Sequence, residues 1–459
     1  MTAIASEIFK AYDIRGIVDR TLTEEAVEKI GRGLATMGKS RGISRFVIGR
    51  DGRLSGPRLA RALAKGLNAG GADVIDIGVV ATPMVYFGTF LFNTGSGVMV
   101  TGSHNPPDYN GLKMMVAGDT LAAETIQDLR RIVEAGKFSE GSGKYETADV
   151  SGPYLDRIAS DIQLARPMTI AVDCGNGSPG AFAPKLYRRM GCEVIELFCE
   201  VDGTFPNHHP DPSKPENLKA LIAELARTDA EVGFAFDGDG DRLGVVTKSG
   251  KIIYPDRQLM LFAEEVLSRN PGAEIIFDVK CTRNLYPWIR KHGGKPLLWK
   301  TGHSLMKAKL KETGAPLAGE MSGHIFYKHR WYGFDDALYA AVRLIEAVSQ
   351  SGHSLTAIME AMPKSVATPE LRFPVDEVRK FAIVEEVRER LSAYGANVDA
   401  TDGVRVSTSD GWWLLRASNT QDVLVARAEA KDEAGVQRLV AQIDEQLAKS
   451  GVERVDAMH

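Results

Sequence analysis

A strand, helix, strand pattern occurs three times in succession along the chain, and this repetition restricts the possible folds most strongly. The first copy joins the apolar runs RFVIG and ADVIDIG through a stretch with Leu59, Leu63 and Leu67 at helical spacing. The second begins at Met168 with TIAVD and returns as EVIELF, and the third runs from AEIIFDVK to PLLWKTG. We therefore expect three similar α/β domains in tandem.

The C-terminal part of the chain has a different pattern. The segments LRFPV, GVRVSTS, WWLLRAS and DVLVARAEA indicate strands, with a charged helix from Asp376 and a closing helix after Lys431. This pattern predicts a smaller α+β domain. We place the four domains at residues 1–150, 151–254, 255–368 and 369–459.

Length and charge restrict the location and the partners of the protein. The 459 residues are too many for one hydrophobic core, which agrees with several domains. The formal net charge is -4 and no run is rich in lysine and arginine, so we expect no nucleic-acid partner. The N-terminal MTAIASEIFKAYDIRG lacks a signal-peptide pattern, and no apolar run has membrane-spanning length. We expect a cytoplasmic protein without a membrane partner, and a monomer is favoured.

A loop with the sequence TGSHNP follows the strand-like GVMV and places Ser103 at the carboxyl end of a strand. Ligands of open α/β sheets bind at that edge. Gly102 leaves space beside the hydroxyl, and Lys113 follows as a charge partner or a proton shuttle. The same composition is also typical of an ordinary turn, so this loop alone does not decide between the two.

The segment FAFDGDGDRLG contains three aspartates at every second position, namely Asp237, Asp239 and Asp241. The intervening glycines allow the carboxylates to converge, and three hard oxygen ligands suit Mg²⁺. Arg242 then directs a permanent cation at an anion held by the metal. An EF-hand is excluded, because Arg242 and Lys248 occupy the positions of its glycine and glutamate. A solvated acidic turn is the weaker interpretation, since clustered carboxylates without a cation cost energy.

Two further loops carry groups suited to a sugar phosphate. GEMSGH combines the carboxylate of Glu320 with the hydroxyl of Ser322, a pairing that suits neighbouring sugar hydroxyls. RASNT, which begins at Arg416, offers a guanidinium, two hydroxyls, an amide and backbone N–H groups, as phosphate-binding loops do. Each composition also occurs in ordinary turns.

In this order, KAYDIRG (Lys10 to Gly16), TGSHNP, DGDGDR, GEMSGH and RASNT resemble the motifs of the α-D-phosphohexomutase superfamily. The resemblance spans nearly the whole chain, and the length and the GEMSGH spelling are most similar to the bacterial phosphomannomutase/phosphoglucomutase branch. It implies three related α/β domains and a smaller fourth domain around one central cleft, with one loop from each domain.

The resemblance also implies roles for individual residues. Ser103 would be the phosphoserine, and Ser103, Asp237, Asp239 and Asp241 would hold Mg²⁺. The transferring phosphoryl group would be surrounded by Arg15, His104, Lys113, Arg242 and His303. The substrate would be bound by Tyr12, Lys280, Glu320, Ser322, Arg416, Ser418, Asn419 and Thr420.

The implied reaction is the reversible interconversion of hexose 1-phosphate and hexose 6-phosphate, with mannose, glucose or both as the sugar. It proceeds through a hexose 1,6-bisphosphate, which is both intermediate and activator. Lys113 and His303 are both candidates for the general base. We also expect Ser103 and Glu320 to be exposed on their loops.

Alternative functions follow from the same residues. A phosphoglucosamine mutase is the runner-up within the family, although that branch typically has Gln at the position of Met321. An aspartyl-phosphate phosphohydrolase could use Asp237 and Asp239, but it leaves TGSHNP without a role. A serine hydrolase is disfavoured because no GxSxG elbow precedes a helix, and a non-catalytic sugar-phosphate or metal-binding protein would not need Ser103.

One position departs from the family pattern. Relatives often carry a proline two residues after the Asn-Thr pair, whereas this chain has Gln421 and Asp422. The carboxylate of Asp422 either weakens phosphate binding or points away from the loop.

Overall fold

The structure, a computed structural model, describes residues 4–453. In this part of the chain the strands form four sheets, one for each successive α/β or α+β unit. None of the helices in the described residues combines the length and the apolar character needed to cross a lipid bilayer.

The first unit contains a seven-stranded sheet. After a 3₁₀ helix at Ser6–Ile8, its elements are β1 (Ile14–Ile17), α1 (Glu24–Ser40), β2 (Arg45–Arg50), α2 (Gly56–Ala69), β3 (Asp73–Val79), α3 (Thr82–Leu91), β4 (Gly97–Val100), β5 (Tyr109–Val116), β6 (Asp119–Thr120), α4 (Glu124–Ala135) and β7 (Tyr145–Thr147). The strand order is β1-β5-β4-β2-β3-β7, with β6 beside β5.

The second unit contains a five-stranded sheet in the order β12-β11-β10-β8-β9. Its elements are α5 (Ser151–Ala159), β8 (Thr169–Asp173), α6 (Ala183–Arg189), β9 (Glu193–Leu197), α7 (Lys219–Arg227), β10 (Val232–Phe236), β11 (Leu243–Thr247) and β12 (Ile252–Ile253), with 3₁₀ helices at Ser178–Ala181 and Pro215–Leu218.

The third unit contains a four-stranded sheet in the order β14-β13-β15-β16. Its elements are α8 (Pro255–Arg269), β13 (Glu274–Asp278), α9 (Leu285–Lys291), β14 (Lys295–Trp299), α10 (His303–Thr313), β15 (Leu317–Gly319), β16 (Ile325–Tyr327), α11 (Ala337–Ser351) and α12 (Leu355–Ala361).

The fourth unit contains a six-stranded antiparallel sheet. Its elements are β17 (Val366–Ala367), β18 (Leu371–Pro374), α13 (Glu377–Ala393), β19 (Asn397–Asp399), β20 (Val404–Ser407), β21 (Gly411–Ala417), β22 (Val423–Ala430) and α14 (Glu433–Ala448). Both helices pack into one apolar core with the sheet. Trp412 and Leu414 lie outside that core and pack against Val279 of the third unit.

The first three sheets share one strand arrangement. In each, the central strand (β2, β8 or β13) pairs in parallel with the next strand on one side and with the third strand on the other. A fourth strand then returns antiparallel beside the third. This confirms the prediction of three tandem α/β domains followed by a smaller α+β domain. The predicted boundaries between them stay predictions.

The shared arrangement puts three of the predicted motifs at equivalent places. TGSHNP connects β4 to β5, DGDGDR connects β10 to β11, and residues 320–324 connect β15 to β16. Each loop therefore leaves the carboxyl end of the third parallel strand, the edge where α/β sheets bind ligands.

Contacts between the first three units hold these edges together. A continuous apolar core includes Phe87 of α3, Tyr154 of α5 and Trp331 of the third unit. The Tyr154 hydroxyl donates to both carboxylate oxygens of Asp336, at 2.9 and 2.8 Å. The core thus fixes the relative positions of the three loops.

Candidate active site

A cavity of about 1080 Å³ lies where the four units meet. It is lined by all the predicted site residues other than the three aspartates, namely Tyr12, Arg15, Ser103, His104, Lys113, Arg242, Lys280, His303, Glu320, Ser322, Arg416, Ser418, Asn419 and Thr420. The aspartates are fully buried against Ser103 and Lys113. The fold thus brings every predicted site residue to one place.

Ser103 lies on the loop between β4 and β5 with a left-handed backbone, at φ 51°. Its Oγ donates to Asp237 Oδ2 at 3.0 Å and lies 3.2 Å from His104 Nδ1. The expectation that Ser103 is exposed is wrong, because the DGDGDR loop of the second unit covers it and leaves it 1% exposed. A side chain at Gly238 would collide with the Ser103 carbonyl, so glycine permits this approach.

The three aspartates form a compact group of acceptors. They offer carboxylate oxygens that all lie within 4.8 Å of one another. Asp239 Oδ1 and Asp241 Oδ1 are buried without a hydrogen-bond partner in the described part of the chain. Burial, reinforced by its two neighbours, raises the pKa of Asp237. Unpaired, buried carboxylate oxygens at this density fit a hard divalent cation.

Lys113 supplies a buried cation to this group, in addition to Arg242, whose Nε lies 4.0 Å from Asp237 Oδ2. Its Nζ donates to Asp239 Oδ2 at 2.7 Å and also to Asp241. Burial lowers the pKa of Lys113, but these carboxylates more than reverse that effect and raise it. Lys113 is therefore positioned as a charge partner of the aspartates.

Two arginines and a histidine surround Ser103. Arg15 donates to Asp13 and Asn105, and its Nε is buried without a partner among residues 4–453. Burial, together with the Arg242 and Arg15 cations, lowers the pKa of His104. The Ser103 hydroxyl thus lies between the three aspartates and the Arg15 and Arg242 cations, which suit a phosphate group.

The GEMSGH loop of the third unit is hydrogen-bonded to Gly302, the residue before α10. Glu320 Oε1 accepts from Gly302 N at 2.5 Å, and Glu320 Oε2 lies 3.3 Å from the Ser322 hydroxyl that donates to it. Glu320 is therefore buried, and the expectation that it is exposed is wrong. Burial raises the pKa of this carboxyl. Its position beside the cavity nevertheless leaves it available to sugar hydroxyls.

The loop of the fourth unit presents a free guanidinium nitrogen. Arg416 Nε donates to Asp402 Oδ2 at 3.1 Å, whereas Arg416 Nη2 is buried with no partner among the described residues. Asn419 donates to the Tyr12 hydroxyl, which in turn donates to the Thr301 carbonyl at 2.7 Å. Tyr12 thus joins the first, third and fourth units beside the phosphate-binding loop.

The departure at Asp422 has a structural explanation. Its carboxylate lies 3.6 Å from Lys380 Nζ of α13, and Lys380 also donates to the Gln421 carbonyl at 3.0 Å. Of the two possibilities left open by the sequence, Asp422 points away from the phosphate loop.

Lys280 lies at the junction of the third and fourth units. Its Nζ donates to Glu370 Oε1 at 2.7 Å. The ammonium of Lys280, aided by Arg372, lowers the pKa of Glu370 to about 2. The pair borders the cavity and joins the two units.

Sequence reasoning gave no role to a third histidine of the cavity, His324. Its Nε2 accepts from Arg242 Nε at 3.1 Å, and its Nδ1 lies 3.0 Å from Asp335 Oδ2. Asp335 also pairs with Lys307 Nζ at 2.9 Å. His324 ends the GEMSGH motif, so a signal was present. Asp335 and Lys307 belong to no motif, and the fold alone brings them there.

Four family models match successive parts of the chain. Residues 6–140, 152–250 and 254–366 match the models described as phosphoglucomutase/phosphomannomutase, alpha/beta/alpha domains I, II and III. Residues 370–446 match the phosphoglucomutase/phosphomannomutase C-terminal domain.

Individual relatives match over nearly the whole chain. The phosphoglucomutase of Neisseria gonorrhoeae is 55% identical over 443 residues, which is 96% of each chain. The phosphomannomutase/phosphoglucomutase of Pseudomonas aeruginosa is 53% identical over 444 residues, or 97% of this chain and 96% of that protein. The crystal structure of a phosphoglucomutase/phosphomannomutase family protein from Burkholderia thailandensis superposes with a TM-score of 0.93 at 52% identity, covering 98% of each chain.

Proposed function

The chain belongs to the phosphoglucomutase/phosphomannomutase family and interconverts hexose 1-phosphates and hexose 6-phosphates, and we propose that a phosphoserine at Ser103 carries the phosphoryl group. The observation that carries the proposal is the contact of Ser103 Oγ with Asp237 at 3.0 Å. A nucleophilic oxygen, three carboxylates and Lys113 meet there at the wall of the cavity.

Asp237, Asp239 and Asp241 would hold the metal ion, together with phosphate on Ser103. We assign Mg²⁺, because it prefers hard oxygen ligands and usually binds one or two carboxylates with substrate phosphate. When bound, the ion neutralises charge on the phosphoryl oxygens. The unpaired Asp239 Oδ1 and Asp241 Oδ1 support this assignment.

The phosphoryl group moves in two steps that mirror each other. In the first, the bond between Ser103 Oγ and phosphorus breaks and a bond from the free sugar hydroxyl to phosphorus forms. The hydroxyl proton passes to a base, and the Ser103 oxygen that leaves phosphorus takes up a proton in turn, so that Ser103 ends as a free hydroxyl. The product is a hexose 1,6-bisphosphate. After it turns end over end, its other phosphate returns to Ser103 by the reverse step. Arg15 and Arg242 stabilise the charge of the group in transit.

The base is best sought among the cavity histidines. Both ring nitrogens of His303 are buried without a hydrogen-bond partner in the described residues. His324 Nε2 accepts from Arg242 Nε at 3.1 Å, so its lone pair is already engaged. The two rings lie side by side, with centroids 5.6 Å apart. We propose that His303 accepts the proton, because its ring nitrogens have no hydrogen-bond partner among the described residues, while Lys113 acts as a charge partner.

The cavity has room for the turn of the intermediate. Its volume of about 1080 Å³ lies at the upper end of the roughly 300–1,000 Å³ of small-molecule sites. Arg416 and the neighbouring Ser418, Asn419 and Thr420 would hold the phosphate that is not reacting, and Glu320 with Ser322 would bind sugar hydroxyls. Because glucose and mannose differ at C2, while Glu320 is expected to contact O3 and O4, we propose that both are substrates.

The location and the oligomeric state of the enzyme are further proposals. We place the enzyme in the cytoplasm, because its charged sugar-phosphate substrates do not cross membranes. A monomer remains the predicted state, since one chain supplies all the residues assigned here.

The first test locates the phosphate. Intact mass and peptide mapping of the purified protein should find a phosphate on Ser103, and Ser103→Ala should abolish turnover. Ser349→Ala serves as the control, because it also removes a buried hydroxyl but lies on α11 outside the site. Activity retained by Ser103→Ala would move the nucleophile elsewhere, with Asp237 next, as in an aspartyl-phosphate phosphohydrolase.

A further inference from the structure

A buried ion pair lies directly beneath the Ser103 loop. Asp51 and Arg53 follow the end of β2 and are 2% and 1% exposed, and neither lines the cavity. On the premise of the proposed function, we propose that this pair positions the phosphoserine loop and thereby sets the geometry of phosphoryl transfer. Both are positioning residues, because they act through the loop and touch no substrate.

Arg53 uses every donor of its guanidinium on the loop or on Asp51. Nη2 donates to the carbonyls of Ser103 at 2.9 Å and Asn105 at 2.6 Å. Nη1 donates to the carbonyls of Pro106 and of Tyr109, the latter at 2.9 Å. Nε donates to Asp51 Oδ2 at 3.1 Å. A guanidinium has five N–H groups in a fixed fork, so no donor remains unused.

Asp51 holds the other side of the same loop. Its Oδ2 accepts from Thr101 Oγ1 at 2.8 Å and from Gly102 N at 3.1 Å. Thr101 Oγ1 in turn accepts from Ser103 N at 2.8 Å. The backbone of Ser103 is therefore held from both directions, its N–H through Thr101 and its carbonyl by Arg53.

The conformation of Ser103 explains why such bracing matters. A serine at φ 51° is in the left-handed region, which costs energy unless surrounding contacts impose it. Gly102 lies flat on the Arg53 guanidinium, since a side chain there would collide with it. The pair is thus shaped to one backbone conformation, the one that directs Ser103 Oγ towards Asp237.

The second unit seals the pair from solvent. The ring of Phe205 covers the Arg53 guanidinium, 5.1 Å from its carbon to the ring centroid. A side chain at Gly203 would collide with the backbone of Gly52 and Arg53. The Ser103 loop and the second unit, which carries the DGDGDR loop, therefore both pack against one guanidinium.

The test replaces Arg53 by lysine, which keeps the charge but has three donors instead of a five-donor fork. Arg343→Lys is the matched control, because Arg343 is also 1% exposed but lies on α11, where it pairs with Glu265. Arg53→Lys should lower kcat by about 100-fold, the effect of a misplacement near 1 Å. The KM for glucose 1-phosphate should stay within about twofold, because the Glu320 and Arg416 loops are untouched.

Two further readouts separate positioning from general damage. The ³¹P resonance of phospho-Ser103 should shift or broaden in Arg53→Lys and stay unchanged in Arg343→Lys. Both variants should lose thermal stability to a similar degree. If Arg53→Lys does not fold, Thr101→Val removes only the hydroxyl that links Asp51 to Ser103 N–H. That variant should lower kcat by about tenfold, as expected for one hydrogen bond, with an unchanged KM.

Two results would overturn the inference. One is an Arg53→Lys or Thr101→Val enzyme with a kcat equal to that of Arg343→Lys, and the other is an unchanged ³¹P resonance in the substituted protein. The phosphorylation state of Ser103 in the wild-type enzyme distinguishes failure of this inference from failure of the proposed function. A wild-type enzyme without phosphate on Ser103 refutes the phosphoserine itself, whereas a phosphorylated wild type beside a fully active variant refutes only the role of the pair.

Discussion

Ser103 Oγ donates a hydrogen bond of 3.0 Å to Asp237 Oδ2, although 134 residues separate the two along the chain. Their loops belong to different units, so the proposed nucleophile meets the carboxylates proposed to bind the metal only when the first two units are packed together. Substitutions in either loop should therefore affect the same chemical step.

Asp239→Asn should weaken Mg²⁺ binding and depress turnover, because it removes one of three anionic ligands and one partner of Lys113. We expect a loss of affinity at least as large as the about 10- to 100-fold found for outer-shell partners of metals. The measurement is initial rate against magnesium concentration, with direct titration of Mg²⁺ by calorimetry. Asp336→Asn is the control, since it neutralises a buried carboxylate outside the cluster. Normal activity of Asp239→Asn in limiting magnesium would disprove the metal assignment.

Glu320→Ala should reduce kcat/KM for glucose 1-phosphate and mannose 1-phosphate by similar factors, because the hydroxyls it is proposed to contact have the same configuration in both. A charge-assisted hydrogen bond contributes about 1.5–3 kcal/mol, which predicts a loss of about 10- to 150-fold. The substitution should also destabilise the fold by about 1–3 kcal/mol, because the buried N–H of Gly302 loses its acceptor.

Glu320→Gln provides the matched comparison, since it keeps the shape and an acceptor for Gly302 while it removes the charge. It should recover most of the stability and little of the activity. A loss confined to one of the two sugars would contradict the proposed contacts.

Arg416→Ala should lower kcat/KM by about 10- to 150-fold, because it removes a charge-assisted contact to the non-reacting phosphate. The loss should lie at the upper end, since the carboxylate of Asp402 would be left beside that phosphate without its cationic partner. A bisphosphate that is held less tightly escapes more often and leaves Ser103 without phosphate. The variant should therefore depend more strongly on added glucose 1,6-bisphosphate, with nearly unchanged magnesium dependence.

Initial rates against activator concentration check this expectation, with Ser103 phosphorylation followed by mass during turnover. Arg438→Ala, which removes an exposed guanidinium from α14 of the same unit, should behave as the wild type. An unaltered activator requirement in Arg416→Ala would show that the RASNT loop does not hold the substrate.

The stability of the protein should depend on pH through Asp336, whose pKa burial raises to about 7. An unfolded aspartate titrates near 3.9, so the folded state binds more protons between about pH 4 and 7. The contribution of Asp336 to stability is therefore largest at low pH, declines as pH rises through that window and is constant above it. Relative to Asp336→Asn, the wild type should lose about 1.4 kcal/mol of unfolding free energy per pH unit.

Denaturant unfolding of both proteins at several pH values from 5 to 8 measures this difference. Parallel curves, or a wild type that gains stability over the variant as pH rises, would refute the raised pKa of Asp336.

The sequence predicted those features that depend on residues close together along the chain. Apolar periodicity located the strands and helices of three units, and each short motif carried the groups of one loop, as with Ser103 in TGSHNP. The residue types of a loop predict which hydrogen-bond donors and acceptors that loop supplies.

Contacts between distant segments could not be predicted in this way. Ser103 and Glu320 were expected to be exposed, but their burial depends on the packing of a neighbouring unit and of α10. The direction of Asp422 depends on Lys380, and the environment of His324 depends on Asp335, neither of which belongs to a motif.

Three loops occupy equivalent positions, between the third and fourth strands of three similar sheets. This arrangement affects how substrate preference can diverge among relatives. The loop at this position carries the proposed nucleophile in the first unit, the proposed metal ligands in the second and the proposed sugar contacts in the third. Glu320 and Ser322 can therefore vary without moving Ser103 or Asp237, whereas Gly323 accepts from Leu243 N and His324 accepts from Arg242, so these two positions stay coupled to the DGDGDR loop. Substrate range is thereby separated from phosphoryl-transfer chemistry in part of this loop, and exchanging residues 320–322 between relatives, with His324 kept, should transfer sugar preference while the catalytic step is inherited intact.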